Sequence, residues 1–185
     1  MGNFYVNYTV PGVDAGAVAA ALAGRTAMVV GPVDGCTIIL DQQSDEQDQA
    51  VVQALGSSIS AALNSPTLAV LNHDDDVLMY FLFERGEVVD SYNSTPGYFT
   101  DAEDDPLPEG GDAHKLCTAF GGSDPDEVER VLRATSDDYL FAVKRHEALF
   151  RALHLPQIAV GLGFEYASKG DLPNGVDPSS VLRLG

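Results

Sequence analysis

Val77-Leu78-Met79-Tyr80-Phe81-Leu82-Phe83 is a run of seven apolar or aromatic residues without a polar interruption. Successive side chains of a strand point to opposite faces, so a strand with one wet face alternates. An unbroken run fits a strand covered on both faces. Before it, Thr67 to Leu71 reads as a strand and Asn72 to Asp76 as a polar break. After it, Arg85-Gly86 turns the chain and Val88 to Tyr92 returns, the pattern of strands joined by hairpins. Further back, Phe4, Val6, Tyr8 and Val10 alternate with Tyr5, Asn7 and Thr9, a strand with period two that ends at Pro11-Gly12. Asp14 can cap a helix through Ala23, and Gly24 stops it. Ala27 to Val30 and Thr37 to Leu40 are short strands about the turn cluster Gly31 to Gly35. Ser44-Asp45-Glu46-Gln47 has the spacing of a capping box. It predicts a second helix from Ser44, with Val52, Leu55, Ile59 and Leu63 on its apolar face and Asn64-Ser65-Pro66 at its end.

The order is therefore strand, helix, strand, strand, helix, strand, strand, strand. Its first six elements match a ferredoxin-like split β-α-β arrangement, which two more strands extend at one edge. The expected fold class is α+β, with about six mostly antiparallel strands in the order 6-5-4-1-3-2 and both helices on one face. A C-terminal helical segment would cover the other face. Residues 1–93 form the sheet core in this reading, 94–111 an acidic loop rich in Pro and Gly, and 112–185 the helical segment packed on the core as one unit. Within that segment Asp112 caps a short helix to Gly121, and Asp124-Pro125-Asp126-Glu127 starts another. Tyr139 to Val143 fits strand or helix. Lys144 to Leu153 reads as a helix stopped at Pro156, Ala159 to Ala167 as a further helix or turn, and 171–185 as an irregular tail.

The 185 residues include 28 acids and 10 Lys plus Arg, for a net charge of −18. That balance excludes affinity built on Lys and Arg displacing counterions from phosphates, hence nucleic acid, and it opposes anionic membrane surfaces. The charge is local: residues 41–110 hold fifteen acids and one base, whereas 111–185 hold eleven acids and eight bases. A solvated acidic face, a docking surface for a basic protein partner and a cation site all fit this distribution. Cys36 and Cys117 are far apart and suit a reduced pair; with no secretory signal pattern at the N-terminus, a cytoplasmic location is expected.

The densest polar cluster is His73-Asp74-Asp75-Asp76. Asp is favoured in a tight hairpin turn because it tolerates left-handed dihedrals and bonds its own backbone. Carboxylates and an imidazole are also ligands for a divalent cation, the one cofactor this sequence raises. Consecutive Asp residues cannot all point at one ion, so ligands from elsewhere are required: Asp101, Glu103, Asp104 and Asp105 of the acidic loop could join, as could His146. Lys144-Arg145-His146 with Arg151 is the basic concentration. It reads either as a surface helix whose bases face the acidic middle of the chain or as an anion site on Arg145 and Arg151. Tyr92, Tyr98 and Phe99 flank the acidic loop and suit edge packing or the rim of a ligand cleft. No nucleophile elbow, EF-hand spacing or complete dinucleotide fingerprint is present.

Leu68-Ala69-Val70-Leu71-Asn72-His73-Asp74-Asp75-Asp76, continuing through Gly86-Glu87-Val88-Val89-Asp90, and Arg145-His146-Glu147-Ala148-Leu149 resemble stretches of a group of small uncharacterised bacterial cytosolic proteins. Asn3-Phe4-Tyr5 and Gly97-Tyr98-Phe99 share the resemblance. It implies a bacterial cytosolic protein and no particular chemistry. The expectation is a non-enzymatic binding or regulatory module with an acidic surface, able to meet a basic partner or to self-associate as a homodimer through a strand edge. The alternatives are a metal-assisted hydrolase using the His73–Asp76 cluster and a small-ligand sensor.

Overall fold

The computed structural model describes residues 2–100, 107–122, 124–135 and 138–185. Its strands are β1 (Tyr5–Pro11), β2 (Ala27–Val33), β3 (Cys36–Asp41), β4 (Thr67–His73), β5 (Val77–Glu84), β6 (Glu87–Asn93), β7 (Glu109–Gly110) and β8 (Leu182–Leu184). Its helices are α1 (Ala15–Ala21), α2 (Gln49–Leu63), α3 (Ala113–Phe120), α4 (Pro125–Arg133), α5 (Ala142–Ala152) and α6 (Phe164–Ser168). The strands form one antiparallel sheet in the order β7-β6-β5-β4-β1-β3-β2-β8. No helix among the described residues is long and apolar enough to cross a membrane.

The β5 run shows why the sheet takes this form. Leu78, Tyr80 and Leu82 belong to one buried cluster, with Leu116 of α3, Val128 and Leu132 of α4, and Leu149 and Phe150 of α5. Val77, Met79, Phe81 and Phe83 belong to a second, with Val18 of α1 and Val52, Leu55 and Ile59 of α2. Alternate residues of one strand thus feed two cores, and the sequence has no room for a polar face.

Eight strands replace the expected six, and the two additions are the edges. β7 lies in the stretch expected to be loop. It is two residues long, and a side chain on Gly110 (φ 71°) would sit 2.1 Å from the Ser91 carbonyl oxygen. A pairing that relies on glycine's missing Cβ leaves no alternation to read. β8, in the expected tail, pairs Leu184 with Ala27 and Leu182 with Val29, and three residues are too few to show a period.

The second helix begins later than its capping-box signature suggests. Ser44–Glu46 is a 3-10 turn, Gln47 is left-handed at φ 65°, and Asp48 caps α2 through the amides of Ala50 and Val51. The Ser44 hydroxyl is already committed: it donates to Asp41 Oδ2 at 2.8 Å and meets the Tyr8 hydroxyl at 2.7 Å. Between Tyr139 and Val143 the helix claims only the last two residues. The stretch expected as one element from Ala159 divides into a 3-10 turn, Gln157–Ala159, and α6.

Candidate functional site

The polar break between β4 and β5 is a tight turn, with Asp74 and Asp75 left-handed at φ 54° and 63° and the Asp76 amide on the His73 carbonyl at 3.0 Å. Each carboxylate of the turn has a protein donor. Asp74 Oδ1 accepts the Gly2 amide at 3.0 Å. Asp75 Oδ2 accepts Asn3 Nδ2 at 2.6 Å, and its Oδ1 accepts Asn72 Nδ2 at 3.0 Å and the Val143 amide at 3.3 Å. Asp76 Oδ2 accepts the Tyr98 hydroxyl at 3.1 Å, which holds that phenol above its ordinary pKa. The Asp75 carbonyl also takes the Ala142 amide at 2.6 Å. Phe141, at the N-cap of α5, has no side chain to cap it. Asp75 caps the helix from 67 residues away, with backbone and side-chain oxygens together.

His73 closes β4 beside this turn. Gln47 Nε2 donates to the Asn72 carbonyl at 2.6 Å, so Gln47 Oε1 is left to accept from His73 Nδ1, also at 2.6 Å. That sequence of bonds makes His73 Nδ1 the donor to Gln47, and Nε2 has no partner among the described residues. Three aromatic rings meet the imidazole edge-on: Phe4 at 4.9 Å, Phe99 at 5.0 Å and Tyr98 at 5.7 Å between centroids. All three are exposed, Phe4 at 41%, Tyr98 at 38% and Phe99 at 60%. Phe4, His73 and Phe99, with Leu71, Met79 and Glu46, line an open cleft of about 490 Å³. Asp45 borders it and ties β1 to α6 by accepting the amides of Val6 at 3.0 Å and Glu165 at 2.7 Å; burial raises its pKa above the usual carboxylate range.

The remaining candidates sit elsewhere. His146 is fully buried, with Nδ1 at 2.8 Å from the Tyr5 hydroxyl and Nε2 without a partner among the described residues. Burial pushes its pKa down to about 3, so the ring is neutral. It reaches the turn only indirectly: Asn72 Nδ2 donates to the Tyr5 hydroxyl at 3.3 Å as well as to Asp75. Asp101, Glu103, Asp104 and Asp105 lie outside the described residues. Among the described residues no group of three or more His, Cys, Asp and Glu side chains is placed to hold a metal ion.

Arg145 is also buried, against the expectation of an exposed basic face. Its Nη1 donates to the Tyr92 hydroxyl (3.0 Å) and to the carbonyls of Val131 (3.0 Å) and Ala134 (2.7 Å), and its Nη2 to the Thr135 carbonyl (3.0 Å). The guanidinium thereby closes the end of α4, where free carbonyls gather negative potential. Arg151 and Lys144 both pair with Glu147 on their own helix, at 2.7 and 2.9 Å, and not with the acidic middle of the chain. Arg25 does pair there, forking Asp41. Phe4 and Gln47 are the site residues that sequence reasoning missed; Phe4 passes for an ordinary member of an alternating strand, and Gln47 for a helix cap. No known family model, curated protein or solved structure matches the chain.

Proposed function

We propose that the protein is a non-enzymatic binding module that docks a positively charged segment of a partner protein at the ring-lined cleft beside the β4–β5 turn. The observation that carries this reading is the set of exposed rings of Phe4, Tyr98 and Phe99 around His73, beside a cleft bordered by the carboxylates of Asp45 and Glu46. Large rings held in water mark an interaction surface. Their faces are negative, and next to carboxylates they favour a guanidinium or ammonium group. The net charge of −18 adds steering of a basic partner. The β4-β1-β3-β2 order at the centre of the sheet supports a ferredoxin-like core extended by hairpins. The apolar residues that α3, α4 and α5 contribute to one core support a C-terminal segment covering that face. A hydrolytic reading with a metal on His73–Asp76 draws no support from carboxylates already occupied by protein donors.

The test is fluorescence anisotropy with labelled Arg-rich and Lys-rich peptides at 50 and 300 mM salt, against the native chain and Phe99→Ala. We expect saturable binding that weakens with salt, and about a tenfold loss in the variant, the worth of one cation–aromatic contact of about 1 kcal/mol or slightly more. Binding that ignores Phe99→Ala would show plain acidity at work and overturn the cleft as the docking site; no binding at 50 mM salt would overturn the reading itself.

A further inference from the structure

We infer that a second cleft, between Arg145 on α5 and Asp76 in the β4–β5 turn, seats a small zwitterion whose carboxylate meets the guanidinium and whose ammonium meets Asp76. The cleft is open, has a volume of about 410 Å³, and is lined by Asp76, Ser94, Thr95, Tyr98, Tyr139 and Arg145 among others. Arg145 is 3% exposed, and no carboxylate among the described residues lies within ion-pair distance of it. Asp138 spends its own Oδ2 on the amide and hydroxyl of Thr135. Among the described residues the guanidinium is therefore met by carbonyls, the Tyr92 hydroxyl and the face of the Tyr139 ring at 5.0 Å, none of them a full negative charge, and a helix end supplies roughly half an elementary charge.

Its donors are also not exhausted. A guanidinium has five N–H groups. Nη1 shares two among three acceptors and Nη2 gives one to Thr135. Nε and the second Nη2 hydrogen have no partner among the described residues. Nε and Nη2 are the pair with which Arg25 forks Asp41, at 2.7 Å each, so the edge that keeps donors to spare is one that can take a carboxylate side-on. A plain anion would be repelled by Asp76, whose Oδ1 has no donor among the described residues while Oδ2 takes Tyr98. A molecule carrying both charges satisfies both ends. Arg145 is held against α4 and Asp76 lies in the turn, so the charges must be separated along the molecule, as in an ω-amino acid or a short peptide with free termini.

The experiment is a nitrogen-15 NMR titration of the whole chain with glycine, β-alanine, 4-aminobutyrate, 6-aminohexanoate and glycylglycine, each to 20 mM. The N-acetyl and the carboxamide forms of the best amino acid serve as half-ligands, and glycylglycine separates a peptide source from a free amino acid. We expect saturable shifts at Thr95, Tyr98 and Ala142, affinity rising from glycine to the longer probes, and each half-ligand at least tenfold weaker. Asp76→Asn should lose about tenfold for the zwitterion and nothing for the N-acetyl form. Arg145→Lys should lose the preference for carboxylate; if that variant does not fold, the Asp76→Asn comparison decides alone. Absence of saturable shifts, half-ligands that bind as well as whole ones, or an Asp76→Asn variant with unchanged affinity would each overturn the proposal. Phe99 is not in the lining of this cleft, so peptide binding scored on Phe99→Ala and zwitterion binding scored on Asp76→Asn keep the failure of this proposal and that of the docking reading separable.

Discussion

Asp75→Ala is expected to destabilise the protein by about 3 kcal/mol, and the figure can be built from what the side chain holds. Its Oδ1 caps the N-terminus of α5 at the Val143 amide, and loss of an N-cap costs about 0.5–2 kcal/mol. The same oxygen takes Asn72 Nδ2, a buried group left with only the long 3.3 Å bond to Tyr5; a buried donor that loses a partner costs about 1 kcal/mol or more. Asn3, bound to Oδ2, is half-exposed and can turn to water, so it adds little. Alanine at φ 63° adds about 1 kcal/mol, because it lacks the local bonding that lets Asp adopt the left-handed region. The carbonyl bond to the Ala142 amide survives in the variant and limits the loss. Asp75→Asn keeps an acceptor and the turn dihedral but sets an amide against Asn3 Nδ2, and about 1 kcal/mol is expected from one lost hydrogen bond. Urea unfolding followed by circular dichroism measures both: at a slope of about 2 kcal/mol per M, the alanine variant shifts the midpoint by roughly 1.5 M. Hydrogen exchange at Val143 reads the cap directly. A loss under about 1 kcal/mol, against the 0.5–2 kcal/mol of a cap alone, or unchanged protection at that amide, would refute the cross-chain cap.

Two further perturbations test the cores. His146 binds its proton in the unfolded chain near pH 6.5 but resists it in the fold until about pH 3. The unfolded state therefore takes up one more proton between these values, and stability present above pH 6.5 is lost as the pH falls, at about 1.4 kcal/mol per unit from this residue. Denaturant midpoints between pH 6 and 4 should show that slope in the native chain and a flatter one in His146→Gln; parallel slopes would remove His146 from the account. Gly56→Ala should destabilise by about 2 kcal/mol even though alanine is favoured by about 1 kcal/mol in a helix interior. Its Cβ would lie 2.2 Å from Cε2 of the buried Phe83, so Gly56→Ala with Phe83→Leu should recover much of the loss in thermal unfolding, and a stabilised single variant would contradict that packing.

What the sequence discloses of the fold follows from how local each signal is. The two-sided burial of β5 is written in one run. The caps Asp14, Asp112 and Asp124 and the C-cap Gly121 lie within four residues of the helices they bound, and their helices are legible from them. Ser44 carries an equally good local signature, yet its hydroxyl is taken by Asp41 and Tyr8, and tertiary bonding overrides the local preference. The edges β7 and β8 are too short for periodicity. At the site the turn chemistry of Asp74 to Asp76 is legible, whereas its partners are not. They come from Gly2, Asn3, Tyr98 and Val143, and nothing in the local sequence pairs residues so far apart. Tyr98 and Phe99 stand out as aromatics beside an acidic loop, but only the fold brings Phe4 and His73 to them.

This distribution of partners bears on what the acidic turn does. All three carboxylates tie down the segments that carry the exposed rings: Asp74 holds Gly2 and Asp75 holds Asn3, just before Phe4, and Asp76 holds Tyr98, next to Phe99. Asp75 also holds the start of α5, which carries Arg145 into the second cleft. The charges of the turn are therefore acceptors first, and the clefts on either flank depend on them for shape as well as potential. The two contributions separate by residue. Asp75 is half-buried and bonded through both oxygens, so its loss acts through order and should lower stability and binding together. Asp76 is exposed, with one oxygen that has no donor among the described residues, so its neutralisation acts through charge and should change binding while leaving the unfolding midpoint nearly fixed. A chain in which both substitutions moved stability and binding in the same proportion would have a turn that serves the fold alone.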